Sequence, residues 1–246
     1  MKSLIKSLKK IFGIFVTSFI FFFLAFSSLR EPIQPYSNEV ASNSYSLGEK
    51  QAVRRSTNSV VQIMSLKLES MAVSFLSGTY FTFGGNYYVL TSAHGIVGGC
   101  ETIKIVYLER YTDCLKIVAI DYSTDYAIIK TNRIASRTPI RIPQALANWR
   151  KSYNLLDRTY YTGYPNSNGP TTWIGTIAGS TADNLILQSY AWPGSSGAGV
   201  FDERGQLIGI VMGLDVGKSR FGYDVLEDFV IIVPVWSIDF SPLLKE

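Results

Sequence analysis

The residues best suited to chemistry in this chain fall in three short blocks. The last is Trp192-Pro193-Gly194-Ser195-Ser196-Gly197-Ala198-Gly199-Val200, where glycines, serines and an alanine let the backbone bend sharply and bring its N–H groups close to a bound group. A serine hydroxyl there is a useful nucleophile only beside a general base and a group that orients the base. The chain has one histidine, His94, at the end of the run Tyr87-Tyr88-Val89-Leu90-Thr91-Ser92-Ala93, so any imidazole catalysis falls to it. Asp125 opens the apolar run Tyr126-Ala127-Ile128-Ile129, and a carboxylate at such an edge is either a turn residue or an orienter for an imidazole. Each block alone has a plainer reading: a Gly/Ser turn, a satisfied histidine at a strand end, a turn aspartate. Together they are the parts of a nucleophilic acyl-transfer site.

Chain order separates the folds that could carry such a site. An α/β-hydrolase places its histidine after a Gly-x-Ser-x-Gly serine, whereas His94 precedes Ser196 and neither Ser195 nor Ser196 fits that pattern. A subtilisin-type enzyme needs an aspartate before its histidine, and the first aspartate here is Asp113. The order histidine, aspartate, serine remains, with spacings of 31 and 71 residues.

Thr91-Ser92-Ala93-His94, Asp125-Tyr126-Ala127-Ile128-Ile129 and Gly194-Ser195-Ser196-Gly197 together resemble the catalytic blocks of trypsin/chymotrypsin-like serine proteases. The spacings resemble the compact bacterial Deg-type (high-temperature-requirement) branch. Ser59-Val60-Val61-Gln62-Ile63, Gly78-Thr79-Tyr80, Ile174-Gly175-Thr176-Ile177 and Phe201 to Met212 resemble that branch too, so the likeness covers roughly residues 57 to 238. It implies that Ser196 attacks a peptide carbonyl, that His94 is the base and Asp125 its orienter, and that the N–H groups of Gly194 and Ser196 face the oxyanion. It also implies a pocket for the residue before the scissile bond, built from Tyr190, Met212, Gly213 and Leu214. An acid would stand at Tyr190 in a trypsin, so the expected preference is for an apolar or small side chain, with Asp215 keeping a basic one open. Ser195 has no charge with which to capture a new N-terminal amine, so activation by that ion pair is not expected. Gly197-Ala198-Gly199 and Gly95 are small departures from the usual pattern. The expected enzyme needs no metal or organic cofactor, its partner is a protein or peptide substrate, and no peptide-binding PDZ domain is expected. One histidine and two cysteines would in any case be a poor zinc set.

The rest of the chain must position these groups. From Val60 onward it reads as many short strands rich in Val, Ile, Tyr and Phe, broken by turn signals such as Gly84-Gly85-Asn86 and Glu203-Arg204-Gly205. That pattern argues for an all-β sandwich or barrel. The resemblance makes it two packed six-stranded antiparallel β-barrels, at about 51–135 and 155–240 within a protease domain spanning 51–246. His94 and Asp125 would sit on the first barrel and Ser196 on the second.

Residues 1–27 form a separate region. Lys2, Lys6, Lys9 and Lys10 precede an uncharged run over 11–26, the layout of an export signal or a single membrane anchor. Ala25-Phe26-Ser27 offers a cleavage point, and both readings place the following chain across the membrane, secreted, periplasmic or anchored through 11–26. Residues 28–50, rich in Ser, Asn, Pro and Glu, read as a flexible linker. Four of the 23 Lys and Arg residues lie in the first 27, and the remaining 19 match the 19 Asp and Glu. The net charge is therefore a feature of the leader and gives no support to nucleic-acid binding. Cys100 and Cys114 flank a hairpin expected to turn near Arg110 to Thr112, which leaves them out of line and predicts two free thiols. Two other functions stay open: a catalytically silent binding or scaffold domain, and a tethered processing protease with a single dedicated substrate.

Overall fold

The computed structural model describes residues 45–142, 153–219 and 222–246. The expected signal or anchor over 1–27 and the chain after it up to residue 44 lie outside the described residues.

Thirteen strands follow one helix among the described residues. Helix α1 spans Leu47–Ser59. The first barrel is built from β1 (Val60–Lys67), β2 (Ala72–Phe83), β3 (Asn86–Thr91), β4 (Ile103–Tyr107), β5 (Arg110–Asp121) and β6 (Tyr126–Thr131). They run in the order β1-β4-β5-β6-β3-β2 and close through β1 against β2, with the two-residue β7 (Ile140–Arg141) adding parallel to β2. The second barrel comprises β8 (Arg158–Gly163), β9 (Thr171–Ser180), β10 (Leu185–Gln188), β11 (Gly199–Asp202), β12 (Leu207–Ser219) and β13 (Gly222–Pro234). It closes in the order β10-β13-β12-β11-β8-β9. The expectation of an all-β chain with two six-stranded antiparallel barrels therefore holds.

The strand sequences explain why there are three cores and not two. Alternate residues of a strand face opposite sides of its sheet. On β2, β3 and β6, Tyr80, Val89, Ala127 and Ile129 point into the first barrel, while Phe81, Tyr88, Leu90 and Ile128 point outward into a cluster shared with the second. The second barrel divides in the same way. Tyr161, Val200, Ile208 and Ile232 fill its interior, and Tyr160, Phe201, Leu207, Ile210 and Val233 join the shared cluster. These strands read as continuous apolar runs because one face packs their own barrel and the other packs the seam.

Two chain segments cross that seam. After Phe240 packs edge-on against Phe81 with ring centroids 6.1 Å apart, the C-terminal segment reaches the first barrel, where the Glu246 side chain accepts from Lys116 Nζ at 2.5 Å and Lys130 Nζ at 2.9 Å. At the other end, α1 leads into β1 but lies against the second barrel. Ser56 Oγ donates to Thr162 Oγ1 at 2.8 Å and Arg55 Nη1 to the Gly205 carbonyl at 2.7 Å. The helix corrects the expected linker, since its residues 47–50 are ordered helix. Its start is a capping box, with Glu49 N–H donating to Ser46 Oγ at 3.2 Å and Ser46 N–H to Glu49 Oε2 at 2.6 Å. Its buried face carries Glu49, Ala52, Ser56, Thr57 and Ser59, so no apolar period announces it.

The cysteines supply the second correction. Cys100 and Cys114 form a disulfide, with Cα atoms 5.3 Å apart. The hairpin turns at Leu108 and Glu109, pairing Tyr107 with Arg110 and Lys104 with Asp113, so Cys114 lies beside the start of β4 instead of opposite Tyr107. A 3₁₀ turn over Cys100–Thr102 then brings Cys100 back alongside, because such a turn advances only about 2 Å per residue.

Glu49 is buried and holds α1 to the second barrel by accepting from Tyr160 Oη at 2.6 Å and Arg158 Nη1 at 2.9 Å. Those donors, Tyr160 first and then the Ser46 N–H, hold its carboxyl down to about 2 against the cost of burial. The sign follows from linkage: this stabilisation is complete above the ordinary Glu range and is lost as pH falls through about 2. Glu49→Gln is expected to cost about 1–3 kcal/mol near neutrality. Urea titrations at pH 7 and pH 3 should show the gap between wild type and variant narrowing in acid.

Candidate active site

The three candidate groups lie at the ends of strands that meet at the seam. His94 follows β3, and Asp125 immediately precedes β6, which pairs with β3 through Thr91 and Ala127. Asp125 closes a turn built by Asp121, whose carboxylate accepts from Ser123 N–H at 2.8 Å, Ser123 Oγ at 2.6 Å and Thr124 N–H at 3.2 Å. Those bonds, the Ser123 hydroxyl first, hold the Asp121 carboxyl below its ordinary range. The turn leaves Asp125 in the left-handed region at φ 61°, a conformation that aspartate tolerates better than most residues.

In that position the Asp125 carboxylate is almost wholly buried and grips His94 twice. Oδ1 accepts the His94 backbone N–H at 2.8 Å, and Oδ2 lies 2.8 Å from Nδ1. The side chain of Asp125 is 4% exposed and that of His94 51%. An anion with so little water demands donors, and the imidazole Nδ1–H is one of two. With the proton held on Nδ1, the lone pair falls on Nε2. The hydrogen bond to Asp125 raises the His94 pKa above 6.5, against an opposing effect of burial.

The Gly194 to Ala198 turn is pinned peptide by peptide. The Pro193 carbonyl accepts from Asn166 N–H at 2.6 Å, and the Ser195 carbonyl accepts from Ala198 N–H at 3.0 Å. In a trans peptide the carbonyl and the next N–H point in opposite directions. Holding those two carbonyls therefore turns the N–H groups of Gly194 and Ser196 away from them. Neither N–H donates to a protein acceptor among the described residues. Gly194 has φ +95°, and a Cβ there would lie 2.5 Å from the Tyr164 carbonyl oxygen. A Cβ on Gly197, at φ +87°, would lie 2.2 Å from the Ser77 carbonyl oxygen and 3.0 Å from Thr91 Cα. The serine turn thus presses directly on the strand that leads to His94. Ser92 Oγ and Gly197 N–H converge on the Val211 carbonyl, at 3.0 and 2.7 Å. His94 Nε2 and Ser196 Oγ are not hydrogen-bonded to each other.

The two serines of the turn differ sharply. Ser195 is fully buried, and its Oγ accepts from Trp192 N–H at 3.3 Å. Ser196 is partly accessible, and its hydroxyl has no hydrogen-bond partner among the described residues.

Beside Ser196 lies a cavity of about 170 Å³ lined by Ala191, Trp192, Pro193, Val211, Gly213 and Leu214 with both serines. Of the four residues expected to bind substrate, Gly213 and Leu214 line it. Met212 instead packs against the shared core, and Tyr190 is exposed, its carbonyl accepting from Tyr161 Oη. Asp215 lies on β12, but its side chain is outside the described residues. Among the described residues no three His, Cys, Asp or Glu side chains gather as a metal-ligand set. The sequence gives no role to Ser77, Asn166 or Ala191, nor to Thr91 and Trp192 within their blocks, because these residues contribute through backbone groups, hydroxyls or packing that no residue type advertises.

A family model described as a trypsin-like peptidase domain matches residues 77–210. The chloroplastic Protease Do-like 1 of Arabidopsis thaliana is 23% identical over 211 residues, covering 76% of this chain and 47% of that protein. A solved serine endoprotease from Yersinia pestis is 24% identical with a TM-score of 0.59, over 80% of this chain and 64% of that one. The Rv3671c protease from M. tuberculosis in its active form is 19% identical with a TM-score of 0.62, over 85% of this chain and 90% of that one. The chain thus spans about half the length of the Arabidopsis relative, and the two solved structures show a shared fold.

A single histidine makes the Asp125 contact directly measurable. The imidazole resonances should titrate at a pH above 6.5 in the wild type. In Asp125→Asn the remaining influence is burial, so the midpoint should drop below that of the wild type. Equal midpoints in the two proteins would show that the carboxylate does not hold the ring.

Proposed function

The chain belongs to the trypsin-like peptidase family, and from that premise we propose that it is a serine endopeptidase using His94, Asp125 and Ser196. Ser196 Oγ attacks the substrate carbonyl while His94 Nε2 takes its proton and later delivers it to the leaving amine. Asp125 keeps the ring in the required tautomer and stabilises the imidazolium. The N–H groups of Gly194 and Ser196 receive the oxyanion, a contribution of about 3 kcal/mol per donor. The acyl-enzyme is then hydrolysed by water through the same groups. The observation that carries this reading is the double grip of a buried Asp125 on the chain's one histidine, at 2.8 Å to Nδ1 and 2.8 Å to the backbone N–H.

The small cavity beside Ser196 supports a substrate with a small or medium apolar residue before the scissile bond, and no described carboxylate lines it. The protease domain acts outside the cytoplasm, delivered by the basic and apolar segment of residues 1–27 as a cleaved signal or a retained anchor. The Cys100–Cys114 disulfide supports that location, because such bonds persist in oxidising compartments.

Fluorophosphonate labelling of wild type, Ser196→Ala and Ser195→Ala tests the proposal. Labelling should be lost in the Ser196 variant and kept in the Ser195 variant. An unlabelled, well-folded wild type would favour the silent binding-domain reading. Where hydrolysis is measured, kcat/KM should rise with pH through the same midpoint as the His94 titration. Peptides with Ala or Val before the scissile bond should exceed those with Arg or Glu by roughly 10-fold or more.

A further inference from the structure

Ser77, on β2 of the first barrel, is fully buried and reaches the serine turn through both its hydroxyl and its backbone N–H. Its Oγ donates to the Gly194 carbonyl at 2.7 Å and accepts from Tyr164 N–H at 2.8 Å. Its N–H donates to the Ser196 carbonyl at 2.9 Å, and its carbonyl accepts from Thr91 Oγ1 at 2.7 Å. Its partners therefore include both residues whose N–H groups face the oxyanion, together with β3, the strand that ends at His94.

We propose that Ser77 is the positioning residue that fixes the oxyanion donor of Gly194. This inference rests on the serine endopeptidase reading. Gly194 lacks a Cβ, so only its neighbouring peptide planes restrict its rotation. The plane before Gly194 Cα is held by Asn166 N–H on the Pro193 carbonyl, at 2.6 Å. The plane after it is held by Ser77 Oγ on the Gly194 carbonyl. With both planes held, φ stays at +95° and the N–H keeps its direction. The hydroxyl also secures the other hold, because its second partner, Tyr164, leads into the short turn Pro165–Ser167 that contains Asn166. One hydroxyl thus braces both sides of a glycine that would otherwise turn freely, and it does so from the opposite barrel. Ser77 does not reach the reacting atoms, so removing it should weaken the tetrahedral state far more than substrate binding.

The test compares wild type with Ser77→Ala and Ser77→Cys, the second keeping the buried volume while weakening both hydrogen bonds of the side chain. With an apolar peptide substrate, kcat should fall roughly 10- to 100-fold, less than the roughly 100- to 1000-fold cost of removing an oxyanion donor outright, while KM changes little. A peptide boronate, whose adduct mimics the tetrahedral state, should lose affinity by a similar factor. A non-covalent peptide ligand should bind as before, and the His94 titration midpoint should not move. Unchanged kcat and boronate affinity in a folded variant, or an equal loss of boronate and peptide binding, would overturn the role of Ser77. If Ser77→Ala does not fold, Ser77→Cys decides by the same readouts. A wild type that neither reacts with fluorophosphonate nor hydrolyses any peptide would instead overturn the endopeptidase reading itself.

Discussion

The structure depends most on how closely two backbones approach at the seam between the barrels. A Cβ on Gly197 would sit 2.2 Å from the Ser77 carbonyl oxygen, well inside any permitted contact, so only glycine lets the serine turn lie against β2. That approach lets Ser77 N–H reach the Ser196 carbonyl and lets Thr79 Oγ1 reach the Gly197 carbonyl at 3.3 Å. Without it, His94 and Asp125 would belong to one barrel and Ser196 to another, with no fixed distance between them. Where the serine turn meets β2, the polar contacts are small hydroxyls and backbone groups.

Holding the seam at that spacing falls to apolar packing away from the site. The shared cluster takes the outward faces of β2, β3 and β6 and their counterparts on β8, β11, β12 and β13. Truncating a buried aromatic such as Phe81 in it removes about 3–5 kcal/mol by the usual transfer and cavity terms. Helix α1 and the C-terminal segment add polar ties from opposite ends of the chain. The Glu49 cluster is the strongest of the ionic ones, since the carboxylate is buried and hydrogen-bonded on several sides. The pairs of Lys116 and Lys130 with Glu246 lie nearer water and contribute less.

Much of this was legible in the sequence, for physical reasons that differ by element. The strands were legible because β-branched and aromatic runs between turn residues leave few alternatives, and their two-sided burial made the runs continuous. The candidate triad stood out because the chain has one histidine and because residue order excludes other folds. Helix α1 was not, although Ser46 and Glu49 form a capping box that the sequence displays, because its buried face is made of Ala, Ser, Thr and a paired Glu. The disulfide was missed because a two-residue error in the hairpin turn shifts the register of the whole ladder, and the 3₁₀ turn at Cys100 has no marker of its own. Ser77 was invisible for a deeper reason. Its importance comes from contacts 117 and 87 residues away, with Gly194 and Tyr164, and a serine in a strand predicts neither.

Backbone strain is distributed to serve the same geometry. Among the described residues, six non-glycine positions have positive φ, and three of them, Asp125, Asn166 and Ser167, belong to the turns that hold the site. Each such conformation costs about 1–2 kcal/mol for an ordinary residue, so it persists only where its surroundings impose it. For Asp125 the imposing contacts are the Asp121 turn behind it and the two donors of His94 in front. For Asn166 they are the hydrogen bond to Pro193 and the Ser77 contact with Tyr164, two residues upstream. A relaxed backbone at Asp125 would release the imidazole, and one at Asn166 would release the Pro193 carbonyl and with it the direction of the Gly194 N–H. Strain at these two places therefore accompanies the two orientations on which the proposed acyl transfer rests, that of the His94 ring and that of the Gly194 N–H. The apolar seam supplies the stability that offsets it.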